Sequence, residues 1–127
     1  MSAATTLDAE ALQRLRELDP HGQNQLLQRV LRAFDTSARR LSLQLADARQ
    51  RNDVLGIRHV AHTLKSSSAS IGALVLARLC AEIEASIRAE ALAGLGERLD
   101  CVDRELDAVL QAVTSLLAPV NVTGTPP

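Results

Sequence analysis

Near the C-terminal end, Leu95, Leu99, Val102, Leu106, Val109, Val113 and Leu116 recur in alternating steps of four and three. That spacing draws one apolar stripe along a helix and makes it the seam of a helix packed nearly parallel or antiparallel to its neighbours. Such a stripe needs other helices to cover it, so the rest of the chain must supply them.

It supplies three more long segments and a short one. Leu27, Val30, Phe34, Ala38, Leu41, Leu45 and Ala48 form a stripe over residues 20–50, opposite Arg29, Arg32, Arg39 and Gln50. "DPHG" opens that segment, with Asp19 as cap and Pro20 at the first helical position, and "RQRND" closes it. A third helix starts at the Asp53 cap and runs to Ile71, where Gly72 offers a stop. The fourth spans 73–92 with Leu76, Cys80, Ile83 and Ile87 on one side, and "AGLG" turns the chain into the last helix. Ahead of all four, Leu7, Ala11, Leu15 and Leu18 mark a short helix. Four long amphipathic segments with short turns predict an all-α, up-down-up-down four-helix bundle with a short additional N-terminal helix. Residues 1–6 read as a polar lead-in, 7–117 as the bundle, and 118–127 as a flexible tail.

Composition agrees and narrows the function classes. The 127 residues amount to one domain, with one Phe, no Trp or Tyr, and scattered β-branched residues. Fourteen basic and 15 acidic residues are interspersed, which argues against nucleic acid as a partner. Cys80 and Cys101 lie in apolar-periodic segments without Cys-x-x-Cys spacing, so reduced buried thiols and a cytoplasmic setting are expected. No run approaches the ~20 apolar residues of a membrane span. The longest candidate, "IGALVLARLC", is broken by Arg78, so no direct membrane contact is expected. The opening residues also lack a secretion signal's basic flank and apolar stretch.

The chemically versatile side chains crowd into "HVAHTLKSSSASIGA", residues 59–73. At about 100° per residue, Ile57, Ala61, Leu64, Ser68 and Ile71 share one line and form the buried stripe. His62 then points away from the core, with Leu55, Arg58, Lys65, Ser66 and Ala69 around it. An outward imidazole of ordinary pKa, ~6.5, is largely neutral and therefore nucleophilic at cytoplasmic pH. Lys65, one turn on, and Arg58, one turn earlier, could stabilise charge on a phosphoryl group carried by that ring. Leu55 and Ala69 add apolar surface of the kind that docks a partner. Solvent-facing histidines are also common on helices, so the spacing leaves a plain surface role open. The serines have no acid–base set beside them and suit close helix packing.

"AHTLKSSSASIGALVLARLCAEIE", residues 61–84, resembles the signature of histidine-containing phosphotransfer (HPt) domains of bacterial multistep phosphorelays. In that pattern His62 corresponds to the phosphorylated histidine, Leu64 to a buried leucine, Lys65 to the lysine near the phosphoryl group and Gly72 to the later glycine. Leu79, Cys80 and Glu84 continue it. Ser66 departs from it, standing where the family most often has glycine. The resemblance extends over about residues 7–92 and independently implies a four-helix bundle with the histidine exposed.

The resemblance implies a phosphocarrier rather than an enzyme. His62, through Nε2, would accept a phosphoryl group from a receiver-domain aspartate and pass it to another receiver. The chain would need no cofactor of its own, with magnesium expected only on the receiver. Its partners would be response-regulator receiver domains and a hybrid sensor histidine kinase. The chain would act as a monomer in the cytoplasm, free or within a membrane-anchored kinase. Leu55, His59, Ser66 and Ala69 are the candidate docking residues, and Leu64, Ser68 and Gly72 pack the helix near the site.

Other readings stay beside this one. His59 and His62 at i and i+3 could be two metal ligands, but no carboxylate or cysteine follows at ligand spacing, and no metal site is expected. A dimerising kinase core would have an acidic residue directly after the histidine and a proline soon after, whereas Thr63 and Leu64 follow here. The phosphotransfer domain of a chemotaxis-type kinase, and a helical interaction module without phosphate chemistry, remain as alternatives.

Overall fold

A computed structural model describes residues 6–118, which form five helices and no strand among the described residues. They are α1 (Ala9–Glu17), α2 (Leu26–Gln50), α3 (Val54–Ser70), α4 (Leu74–Arg88) and α5 (Leu95–Leu117). Each long helix packs against two others: α3 against α2 and α4, and α5 against α4 and α2. Short reversals between consecutive helices make this the expected up-down-up-down bundle, and α1 lies against α2.

The turns have a common construction. Helices α2, α3 and α4 each end with one residue in the left-handed region: Asn52 at φ 54°, Gly72 at 81° and Glu90 at 56°. In each, the next amide donates back to a carbonyl five residues earlier: Asp53 to Ala48, Ala73 to Ser68 and Ala91 to Ser86. This pairing satisfies orphan carbonyls and reverses the chain within a few residues. Asp53 then caps α3, its side chain accepting from the Gly56 amide at 3.0 Å.

The predicted stripes meet in one core. Phe34, Ala38, Leu41, Leu45 and Ala48 of α2 face Ile57, Ala61 and Leu64 of α3, Leu76, Cys80, Ile83 and Ile87 of α4, and Leu99, Val102, Leu106, Val109 and Val113 of α5. Each fully buried Leu, Ile or Val contributes about 1.5–3 kcal/mol relative to exposure, so this shared stripe is what holds the bundle together.

The edges differ from the sequence expectation. Helix α2 starts at Leu26 rather than near residue 20, because Gly22 at φ 66° and Gln25 at φ 50° wind the preceding residues into a turn. Asp19 still serves as a cap, across that turn, accepting from the Leu26 amide at 3.1 Å and the Asn24 amide at 3.2 Å. Helix α4 stops at Arg88 rather than near residue 92, where Glu90 turns left-handed. Leu18 and Leu116, at the ends of their stripes, are exposed, whereas Leu12 and Leu31 are buried. Of the expected lead-in, Thr6 is buried, while residues 1–5 lie outside the described residues, as do 119–127 of the expected tail. Cys80 is buried and Cys101 half-buried, both as free thiols. Among the described residues no helix is long and apolar enough to cross a membrane.

Candidate functional site

Helix α3 carries the site because it has two unlike faces. Ile57, Val60, Ala61, Leu64 and Ser68 are buried, followed by Ile71 at the helix end. Placing those residues inward leaves His62 outward, with 65% of its side chain exposed. Leu55, His59, Ser66 and Ala69 are exposed as well, and Arg58 and Lys65 are half-buried.

The imidazole sits in an open depression of about 430 Å³ lined by Leu55, Arg58, His59, His62, Glu84 and Arg88. Four of the residues singled out in the sequence therefore share one concavity. Ser66 and Ala69 do not line it; they continue the exposed face of α3 beyond the histidine. Helical side chains lean toward the N-terminus, which is why the ring associates with the turn of Arg58 and His59 rather than that of Ser66.

Facing α3, α4 supplies a carboxylate. Glu84 is almost wholly buried, with 6% of its side chain exposed, yet it has three partners. Its Oε2 lies 2.8 Å from His62 Nδ1, its Oε1 accepts from Lys65 Nζ at 2.7 Å, and Arg88, one turn along α4, approaches Oε2 at 3.3 Å. The Lys65 hydrogen bond, seconded by that of His62, outweighs burial and holds Glu84 well below the usual carboxylate range, at about 2. It is therefore an anion at neutral pH, and a carboxylate can only accept. The His62 Nδ1 carries the proton between them, and the lone pair of a neutral ring lies on Nε2, away from α4. One turn earlier, burial and then the Glu84 charge push the Cys80 thiol up to about 12, leaving it unreactive beneath the site.

Glu84 entered the sequence reading only as a continuation of a pattern, and Arg88 not at all. The signal was available in the stripe of α4: Glu84 falls at i+4 from Cys80, where an unpaired acid would be costly, with a cation at i+4 beyond it.

The remaining candidates act in packing. Gly72 is buried at the α3–α4 turn, where a Cβ would come within 2.8 Å of Ala11 Cβ and 3.0 Å of the Asp8 backbone. Its carbonyl accepts from the Asp8 amide at 2.8 Å, so α1 is seated there. The Ser67 and Ser70 hydroxyls donate back to the Thr63 and Ser66 carbonyls of their own helix, and Ser68 is fully buried. Among the described residues, no three His, Cys, Asp or Glu side chains gather as a metal-ligand set.

The family model described as the Hpt domain matches residues 25–112, which takes in α2, α3, α4 and most of α5. The fold is similar to the crystal structure of histidine-containing phosphotransfer protein B (HptB) from Pseudomonas aeruginosa PAO1. That similarity has a TM-score of 0.79 at 27% identity and covers 90% of this chain and 96% of that one. No curated protein matches the chain by sequence. With the family model spanning well over half its length, and a histidine exposed on a helical bundle, this chain belongs to the Hpt domain family, the histidine phosphotransfer modules of phosphorelays.

Proposed function

We propose that His62 is the phosphoacceptor of this module, taking a phosphoryl group from the aspartyl phosphate of a receiver domain and returning it to a second receiver. The observation that carries the reading is the 2.8 Å contact between His62 Nδ1 and the ionised Glu84. It leaves Nε2 unprotonated on an exposed ring that lines an open depression. As Nε2 bonds to phosphorus, the P–O bond to the aspartate breaks and the carboxylate leaves with its electron pair. The ring becomes cationic, and its Nδ1 proton stays on the Glu84 side, where the negative charge offsets it.

Such a transfer has a loose transition state, so alignment and charge stabilisation do most of the work. Arg58 and Arg88 line the same depression and supply positive charge to the phosphoryl oxygens. Leu55, 71% exposed at the lip, and His59 form the surface a receiver would cover, with Ser66 and Ala69 extending it along α3. The chain acts as a carrier: the receiver contributes the aspartate and its magnesium, and a hybrid sensor kinase stands upstream. We place it in the cytoplasm as a monomer.

Incubation with a phosphorylated receiver should move acid-labile label onto this protein. His62→Gln should abolish that transfer; label retained in the variant would assign the acceptor elsewhere.

A further inference from the structure

A second concavity lies apart from the His62 depression and shares none of its lining residues. It is an open groove of about 320 Å³, lined by Leu7, Ala9 and Leu12 at the start of the chain's first helical segment and by Ala112 and Leu116 near the end of α5. Arg16 and Ser115 are its polar lining residues. Leu7, Leu12 and Ala112 are buried, whereas Leu116 is 43% exposed. Helix α1 packs against α2 and is tied to the α3–α4 turn through the Asp8 amide, so the groove marks its flank toward α5 as the one left open. Apart from Ala112, these lining residues fall outside residues 25–112, which the family model matches.

We propose that residues 119–123 of this chain cover the groove as a strap, with Val120 and Val122 packed on Leu12 and Leu116. Helix α5 ends at Leu117, and Ala118 after it is extended, with φ −64° and ψ 132°. Pro119 follows and cannot continue the helix. The residues from there read "PVNVTGTPP", in which Val120 and Val122 alternate with Asn121 and Thr123. In an extended chain that alternation puts both valines on one side and the amide and hydroxyl on the other.

Reach and chemistry agree with this occupant. Ala112 lies six residues back along α5 from Ala118, a distance of about 9 Å at the helical rise, and four extended residues span roughly 13 Å. A groove of about 320 Å³ has room for two three-carbon side chains. Residues 119–127 carry no charged side chain, so no charge would be taken out of water as they cover it, and Leu116 would lose its exposed apolar surface. Residues 1–5, "MSAAT", offer Met1 as their one large apolar side chain and no such alternation. The segment would then brace α1 against α5, in place of the flexible tail expected from its composition. The inference stands independently of the reading of His62.

Nuclear Overhauser effects in the full chain, labelled at its methyl groups, test this. Cross-peaks from Val120 or Val122 to Leu12 or Leu116 are expected, and in an equal mixture of labelled and unlabelled protein they should stay within one copy. Val122→Asp should abolish them, lower the melting temperature by about 3–6 °C and speed amide exchange in α1 by about tenfold. Asn121→Asp, on the opposite side of an extended strap, should change none of the three. Absence of the cross-peaks, or equal effects of the two variants, would overturn the proposal. Cross-peaks between copies would overturn it by giving the groove to a second copy of the chain, and contacts from the Met1 methyl would do so by giving it to the N-terminal residues.

Discussion

His62 on α3 and Glu84 on α4 meet at 2.8 Å between Nδ1 and Oε2, one side chain largely in water and the other almost wholly buried. The pair joins the surface of the module to its interior. Lys65 at 2.7 Å and Arg88 at 3.3 Å pair with the same carboxylate, so the exposed ring rests on a nearly buried, paired anion.

Glu84 also links stability to acid. Its carboxyl is held at about 2, below the ordinary 4.5, so its contribution is complete above pH 4.5 and fades as pH falls toward about 2. Urea midpoints followed down through that window should drop further for the wild type than for Glu84→Gln. Parallel curves would mean that the ionised carboxylate adds nothing to the fold.

Leu55 separates docking from chemistry. Leu55→Asp puts a charge on an apolar residue that is 71% exposed at the lip of the depression. Transfer from a phosphorylated receiver should fall about tenfold or more, as for a central apolar contact in an interface. Labelling by phosphoramidate should fall far less. If both fall equally, Leu55 acts on the imidazole and not on the partner.

The two thiols should differ in reactivity. Cys80 is fully buried and its thiol is pushed up to about 12, whereas Cys101 is half-buried, with its sulfur 3.3 Å from the Arg104 guanidinium. A disulfide-exchange reagent should titrate one thiol in the native protein and two after unfolding. Cys101→Ser should remove the native signal; rapid native reaction of Cys80 would contradict its burial.

Gly72 should tolerate no side chain. Its φ of 81° is unfavourable for alanine, and the added Cβ would press on Ala11 and the Asp8 backbone. Gly72→Ala should cost about 2 kcal/mol, combining left-handed strain with displacement of α1. A thermal melt followed by circular dichroism should fall by roughly 5–10 °C. An unchanged melt would show that α1 can shift freely on the turn.

The helices and their inward faces were legible in the chain because both depend on local geometry: 3.6 residues per turn converts spacing directly into direction. Ile57, Ala61, Leu64, Ser68 and Ile71 therefore identified the buried side of α3, and with it the exposure of His62. The same arithmetic was less reliable at helix ends. Whether Leu18 or Leu116 is covered depends on what packs beside it, and the start of α2 depends on left-handed turns at Gly22 and Gln25.

By itself, then, the sequence determined the helices, their core faces and the family motif that singles out His62. Only the tertiary structure decided what that histidine touches. Glu84 lies 22 residues further on, and its reach to Nδ1 depends on how α4 packs across α3, which no periodicity within either helix specifies. The same packing turned Lys65 toward a carboxylate and left Arg58, His59 and Arg88 around the ring. A nearly buried acid draws in the donors within reach, because leaving its charge unpaired would cost more than ordering them.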